Sequence, residues 1–172
     1  MKNIILVGLE GTNKFEIGKD LASKLQMKFI DSNEVIENKS GLSILELIKT
    51  KGIEHFHSLE DNIIREISSS SNTVIVTGGG SLLRRKNVKI LKRNGIMISL
   101  ITSKINLRID KSRETKSYLR NQWNTLFDSA KSILNLKTPG FPAADYLIDI
   151  SDLSVEEVIE KIIEKIGRDN FV

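Results

Sequence analysis

The stretch G-L-E-G-T-N-K-F, residues 8–15, decides the fold that this sequence predicts. The apolar run Ile4–Val7 precedes it, and apolar residues at helical spacing, Ile17, Leu21 and Leu25, follow it. A strand, a glycine-containing loop and a helix in this order form the context of a phosphate-binding P-loop, whose backbone N–H groups and helix N-terminus face phosphate oxygens. The stretch therefore predicts a strand–loop–helix unit with a phosphate site at its turn.

Two residues of this stretch depart from the P-loop pattern G-x-x-x-x-G-K-[ST]. Gly8 and Lys14 have the required spacing, but Asn13 replaces the second glycine and Phe15 replaces the hydroxyl residue. Asparagine tolerates left-handed backbone angles, so we expect Asn13 to adopt them and to preserve the loop. Phe15 offers no oxygen to Mg²⁺, which the hydroxyl normally binds, and its ring must either fill the metal position or pack inward on the sheet. The stretch indicates a P-loop with a damaged nucleotide site, or a glycine turn without a ligand.

Composition limits the classes of protein that the chain can belong to. Its 172 residues fit one domain, residues 1–172, with ordinary apolar and charged fractions of 40% and 28%. The chain has no cysteine and no apolar run near the ~20 residues that cross a bilayer, so we expect a cytoplasmic protein without a membrane partner. The net charge of +4 comes without a basic cluster interleaved with aromatic residues, which argues against nucleic-acid binding.

Strand and helix patterns alternate along the chain. Five apolar runs predict strands, at residues 4–7, 28–30, 73–76, 96–100 and 146–150, and helical patterns lie between them, including residues 54–67, 84–94, 104–111 and 122–134. Ser32, Ser43 and Ser154 are placed to cap helices, the last with Glu157 in a capping box. This order predicts an α/β fold, a five-stranded parallel sheet with helices on both faces, in which strands 4–7 and 74–76 are central.

Ligands of such sheets bind at the carboxyl ends of the strands, where this sequence has three polar or glycine-rich segments. These are the predicted P-loop, the run Asp31-Ser32-Asn33, and Gly78-Gly79-Gly80. Asp31 either holds Mg²⁺ through a water molecule or caps a helix, and the glycines either admit a ligand to the backbone or form a turn. His57 is either a ligand contact or an ordinary surface histidine.

The order of these motifs resembles that of the shikimate kinases over nearly the whole chain. The family P-loop G-x-x-G-x-G-K-[ST]-[ST]-x-G corresponds to residues 8–18, where Gly8 and Gly11 are kept. The family motif F-x-D-x-D is F-I-D-S-N at 29–33, and F-R-x-x-E is F-H-S-L-E at 56–60. Residues 116–119, K-S-Y-L, stand where the family lid has R-P-L-L, and residues 137–145, K-T-P-G-F-P-A-A-D, stand at R-x-P-L-Y-x-E-x-A-D.

The resemblance implies a role for each matching residue. Gly8, Gly11, Asn13, Lys14 and Phe15 correspond to the nucleotide loop. Asp31 corresponds to the aspartate near the metal, and Gly78, Gly79 and Gly80 correspond to glycines beside the substrate.

Four further positions of the family pattern carry different side chains here. Asn33 replaces an aspartate that binds shikimate hydroxyls and accepts a proton, which an amide cannot do. His57 and Lys137 replace arginines that grip the substrate carboxylate, and Lys116 replaces the lid arginine that stabilises phosphoryl charge. Neither imidazole nor ammonium offers the rigid fork of a guanidinium, so these changes weaken the site.

The sequence therefore predicts a shikimate kinase-like protein of the P-loop kinase fold, with a lid segment near 112–121 and weak or lost kinase activity. If it is active, the resemblance implies ATP and Mg²⁺ as cofactors and shikimate or a related hydroxy acid as the ligand; otherwise it needs no cofactor. One alternative is a divergent working kinase that uses Lys14, Asp31, Lys116 and Lys137. A kinase for another small substrate and a non-catalytic module that binds an unknown protein partner are the remaining alternatives.

Overall fold

The computed structural model describes residues 2–8, 12–78, 81, 84–102 and 144–170. This part of the chain contains the strands β1 Asn3–Gly8, β2 Lys28–Asp31, β3 Thr73–Val76, β4 Gly95–Ile101 and β5 Tyr146–Asp149. It also contains the helices α1 Lys14–Leu25, α2 Ser32–Ser40, α3 Ile44–Lys51, α4 Ile53–Ile67, α5 Arg85–Arg93 and α6 Val155–Asn170. The helices predicted at 104–111 and 122–134 and the lid predicted near 112–121 lie outside the described residues.

The five strands form one parallel sheet in the order β2-β3-β1-β4-β5. Strand β1 is the middle strand, and its Ile5 lies opposite Ile75 of β3 and Met97 of β4. The predicted parallel sheet and the interior positions of strands 4–7 and 74–76 are therefore confirmed. Because all five strands run in the same direction, their carboxyl ends meet at one edge of the sheet.

The two faces of β1 lie in separate hydrophobic cores. Ile4 and Leu6 pack with the apolar sides of α1 and α6, whereas Ile5 and Val7 pack with α2, α3, α4 and α5. Every side chain of β1 is buried, which explains its continuous apolar sequence. Helices thus cover both faces of the sheet, as predicted. Among the described helices, none is long and apolar enough to cross a membrane.

The predicted helix ends are confirmed with one correction. Ser43 and Glu46 form a capping box at α3, and Ser154 accepts from the Glu157 backbone N–H at 3.3 Å while the Glu157 carboxylate accepts from the Ser154 N–H at 2.7 Å. The prediction that Ser32 caps α2 is wrong. Asp31 is the cap, because its carboxylate accepts from the Asn33 N–H at 2.8 Å, and Ser32 is the first helical residue.

Gly18 allows helix α1 to lie directly on the sheet. A β-carbon at this position would be 2.5 Å from Val76 Cγ2 and 3.1 Å from Phe29 Cε2, so any side chain would push the helix away from β2 and β3. Gly167 of α6 is the other helical glycine of the described chain, and a β-carbon there meets nothing within 4 Å.

We expect Gly18→Ala to destabilise the fold by about 1–3 kcal/mol, since overpacking outweighs the better helix propensity of alanine. Gly167→Ala is the matched control, and we expect it to be neutral or stabilising by up to about 1 kcal/mol. Urea unfolding of both variants measures the difference. Equal stabilities of the two variants would contradict the close packing of α1 on the sheet.

Candidate active site

The carboxyl edge of the sheet brings most of the described candidate residues together. Strands β1, β3 and β2 are neighbours, and they end at Gly8, Val76 and Asp31. Lys14, Asp31, Asn33 and Gly78 therefore lie at one edge, next to the turn that follows β1. The predicted site residues Gly11, Gly79, Gly80, Lys116 and Lys137 lie outside the described residues.

The turn before α1 keeps the backbone geometry of a glycine loop. Asn13 has φ 56° and ψ 25°, the left-handed conformation predicted for it, and its carbonyl accepts the first helical hydrogen bond from Ile17 N–H at 3.0 Å. Its side-chain amide donates to Glu16 Oε2 at 2.7 Å. At Gly8 a β-carbon would be 2.7 Å from the Leu100 carbonyl oxygen, so only glycine fits there.

Lys14 is the first residue of α1, at the positive end of the helix dipole. Its ammonium lies 3.5 Å from the hydroxyl of Thr12, a side chain that is only 1% exposed. The ammonium and the helix N-terminus place positive charge at the same point, which is an arrangement that attracts phosphate.

Phe15 stays half exposed, at 48%, and its ring packs edge-on against Phe29 of β2 with centroids 5.4 Å apart. The ring therefore lies closer to the second predicted placement, packed inward on the sheet, but it stays outside the hydrophobic core. Phe29 lies two residues before Asp31, so strand alternation puts both side chains on the same side of β2. The ring therefore occupies space on the side of the sheet edge where Asp31 lies.

Asp31 is partly buried and already committed to capping α2. Burial raises the pKa of its carboxyl group, while the hydrogen bond from Asn33 N–H and the positive charge of Lys14 act in the opposite direction. Asp31 can cap α2 and still hold Mg²⁺ through a water molecule, the two roles predicted for it, because a capping carboxylate keeps a second oxygen for another ligand.

Asn33 and Ser32 fasten the start of α2 to the end of β3. The Ser32 hydroxyl accepts from Gly78 N–H at 3.3 Å. The Asn33 amide oxygen lies so close to Gly78 that a β-carbon there would be 2.9 Å from it. Asn33 and Gly78 are therefore neighbours at this edge of the sheet.

His57 contacts a buried acid. Its Nδ1 lies 3.5 Å from Glu60 Oε2, and the other oxygen of Glu60 accepts from the Ser81 hydroxyl at 2.5 Å. Glu60 is 1% exposed, and burial raises the pKa of its carboxyl group against the hydrogen bond from Ser81. His57 is thus part of a buried polar network rather than an isolated surface histidine.

The next acid of α4 forms a second network. Asp61, 6% exposed, pairs with the guanidinium of Arg84 and with Lys86 at 2.6 Å, and it accepts from the Asn87 amide at 2.9 Å. Arg84 also donates to the His57 carbonyl at 3.5 Å. This network joins α4 to the start of α5 beside His57.

Glu60 and Asp61 were not assigned to the site from the sequence, although helical spacing carried a signal. Positions 57, 60, 61 and 64 share one face of a helix, and Ile64 on that face is fully buried. Two acids on a buried face require partners, and these come from Ser81, Arg84, Lys86 and Asn87, residues distant in sequence.

The residues of this edge fit phosphate better than they fit Mg²⁺. Mg²⁺ favours several oxygen ligands, and here the hydroxyl position carries Phe15, while Asp31 is the candidate carboxylate among the described residues of this edge. The described residues contain no group of three or more His, Cys, Asp or Glu that could hold a metal. Lys14, the left-handed Asn13 and the N-terminus of α1 suit an anion without further ligands.

A parallel five-stranded sheet with helices on both faces, a glycine turn after its middle strand and a lysine at the start of the next helix define a P-loop kinase fold. The family model described as "Shikimate kinase" matches residues 10–167. The chain is 37% identical over 168 residues to the shikimate kinase of Thermodesulfovibrio yellowstonii, covering 98% of this chain and 96% of that one. It is 34% identical to the shikimate kinase of Caldanaerobacter subterraneus, covering 95% of each.

A solved structure agrees with these matches. Shikimate kinase from Acinetobacter baumannii in complex with shikimate superposes with a TM-score of 0.79 at 25% identity, covering 100% of this chain and 96% of that one. The chain belongs to the shikimate kinase family.

We expect Asn13→Ala to destabilise the protein by about 1–2 kcal/mol and to weaken phosphate binding, because alanine resists left-handed angles; Asn13→Gly should preserve both properties. Asn72, just before β3, also has φ 54°, so Asn72→Ala adds the same backbone strain away from the loop and is the control. Unfolding curves and calorimetry with inorganic phosphate measure the two effects. Phosphate affinity that is unchanged in Asn13→Ala would contradict a role for this conformation in anion binding.

We expect the Asp61 network to stabilise the fold in a pH-dependent way. Burial alone would raise the pKa of Asp61, but hydrogen bonds from Lys86 and Asn87 and the charge of Arg84 outweigh it and lower the pKa. A folded-state pKa below the unfolded one gives stability that is present above about pH 4 and lost as the pH falls through the folded value. Asp61→Asn should therefore cost about 1–3 kcal/mol near pH 7, and this cost should shrink on acidification toward about pH 3.

Urea unfolding from about pH 7 to about pH 3 measures this cost. Glu66→Gln is the control, since Glu66 forms an exposed ion pair with Lys39 and should change stability by less than about 1 kcal/mol. A cost of Asp61→Asn that does not depend on pH would refute the electrostatic explanation.

Proposed function

We propose that this chain binds nucleotide phosphate through its P-loop but transfers phosphoryl groups to shikimate weakly or not at all, so that it is a pseudoenzyme of its family. The observation that carries the proposal is the half-exposed ring of Phe15, which stands where a metal-binding hydroxyl is expected and lies on the side of β2 that holds Asp31. Asn13 keeps the left-handed backbone angles of a loop glycine, whereas the groups that would perform the reaction are replaced.

Phosphate binding is the function for which the chain keeps its residues. Lys14 and the start of α1 supply positive charge, and left-handed Asn13 supplies the loop shape. When ATP and Mg²⁺ are bound, the metal supplies neutralisation of the phosphate charge. Asp31 is the residue that would hold this metal, and Gly8, Gly11, Asn13, Lys14 and Phe15 form the candidate nucleotide loop.

Phosphoryl transfer is the function for which the chain has lost residues. Asn33 lies at the sheet edge beside Gly78, but its amide can only hydrogen-bond a hydroxyl group and cannot accept its proton. Losing one positioned arginine in a phosphoryl-transfer site costs on the order of 10³-fold in rate, and two carboxylate contacts and the lid residue are changed together here. We assign the carboxylate contacts to His57 and Lys137, the lid role to Lys116, and the substrate wall to Gly78, Gly79 and Gly80.

A divergent but active shikimate kinase is the second candidate. It is favoured by the family assignment over nearly the full chain, by the preserved Lys14 and Asp31, and by the left-handed angles of Asn13. In either case we propose one domain spanning residues 1–172, a cytoplasmic location and a small hydroxy acid as the ligand, without nucleic acid. A non-catalytic role with an unknown protein partner is the outcome that remains if neither ligand binds.

The deciding experiment is a coupled assay of shikimate phosphorylation with ATP and Mg²⁺. We expect no turnover above background for the wild type and none for Phe15→Ser alone, because the positioning groups act as a unit. The triple variant Phe15→Ser, Asn33→Asp, His57→Arg should gain measurable turnover. Lys14→Ala is the control that removes any P-loop-dependent signal.

Calorimetry with ATP·Mg²⁺ and then with shikimate accompanies the assay. Binding of ATP without turnover supports the pseudoenzyme, and turnover by the wild type overturns it in favour of the divergent kinase. Failure of both ligands to bind would leave the fold as a scaffold.

A further inference from the structure

The contact between His57 and Glu60 has a property that an arginine at position 57 would not give it. His57 Nδ1 and Glu60 Oε2 lie 3.5 Å apart, both atoms are buried, and neither has a hydrogen-bond partner within the described residues. The imidazole keeps 28% of its side-chain surface exposed, whereas the Glu60 side chain keeps 2%. The buried side of the ring thus faces the acid.

This geometry restricts where the imidazole carries its proton. A carboxylate oxygen is only an acceptor, so Nδ1 must carry hydrogen to face it favourably, in either the neutral or the protonated ring. The Ser81 hydroxyl holds the other oxygen of Glu60 at 2.5 Å, which fixes the orientation of the carboxylate. Nε2 is then the atom whose state changes: it accepts a hydrogen bond in the neutral ring and donates one in the protonated ring.

We propose that Glu60 holds His57 in the Nδ1–H form and makes it a proton-linked ligand contact, whose Nε2 accepts from a hydroxyl group when neutral and donates to a carboxylate when protonated. The identity of the ligand, a hydroxy acid, rests on the proposed function. When the carboxylate of shikimate binds at this position, His57 takes up a proton.

The charges around the pair fit this role. Asp61 follows Glu60 on α4, but Arg84 and Lys86 from the start of α5 neutralise it, and Arg84 also donates to the His57 carbonyl. Within the described residues, α2 and α3, which also pack on α4, contribute no ion pair to His57 or Glu60. Burial raises the pKa of the Glu60 carboxyl, and a proton on His57 offsets the cost of keeping that carboxyl charged. Protonation of His57 would therefore place a positive charge next to Glu60.

The tautomer is tested first, without any ligand. The chain has two histidines, and His55 is exposed on the same helix, so a ¹⁵N spectrum of the imidazoles contains an internal reference that His55→Gln assigns. We expect the neutral ring of His57 to be in the Nδ1–H form in the wild type and to lose this preference in Glu60→Gln, while His55 is unaffected. An Nε2–H form of His57 in the wild type would overturn the proposal.

Proton uptake is tested next, by calorimetry with shikimate in two buffers of different ionisation enthalpy, at about pH 6 and about pH 8. We expect the protein to take up as much as about one proton for each shikimate bound. We also expect its affinity for shikimate to fall by as much as about tenfold for each unit by which the pH rises. His57→Arg should bind shikimate without proton uptake, and His55→Gln should behave as the wild type does.

The outcomes separate this proposal from the proposed function. Shikimate binding with no proton uptake in the wild type refutes the proton-linked contact and leaves the proposed ligand intact. Absence of shikimate binding to the wild type and to His57→Arg at both pH values refutes the proposed ligand, and the carboxylate contact with it.

Discussion

Strand β1 constrains the rest of the structure because it is hydrogen-bonded to a parallel neighbour on each side and covered by helices on both faces. Its N–H and C=O groups have no alternative partners, and a shift in register would expose a continuous apolar strand. Strand β1 ends at Gly8, where the Leu100 carbonyl leaves no room for a side chain. The turn, the start of α1 and Lys14 are placed by this single strand.

Patterns that act over a few residues made most of the fold predictable. A run such as Thr73–Val76 must be buried on both faces, and a capping box such as Ser154 with Glu157 satisfies helix N–H groups locally. Asn13 was predictable for the same reason, since few residues tolerate left-handed angles. The residue that caps α2 was not predictable, because Asp31 and Ser32 are both favourable capping residues. The Ser32 hydroxyl instead accepts from the N–H of Gly78, which is distant in sequence.

The candidate site was less predictable than the fold because its geometry depends on residues far apart in the chain. Nothing near Glu60 in sequence indicates that Ser81 will hold one of its oxygens, and nothing near Asp61 indicates Arg84 and Lys86. The family resemblance assigned Asn33 and His57 to positions of the family motifs, but it could not describe what a replaced residue contacts. That information comes from the packing of α4 against α5 and the end of β3.

Backbone shape and chemistry make different demands on this sheet edge, and the substitutions separate them. Gly8, Asn13 and Gly18 meet steric limits that apply whether or not a reaction takes place. A side chain at Gly8 would meet the Leu100 carbonyl, one at Gly18 would push α1 from the sheet, and Asn13 adopts left-handed angles. No such steric limit applies to Phe15, which is half exposed and packs against Phe29. The sheet and helices of a P-loop kinase fold can therefore be kept while the side chains at the sheet edge change. For this reason, the function of such a protein must be argued from the edge residues and not from the sheet.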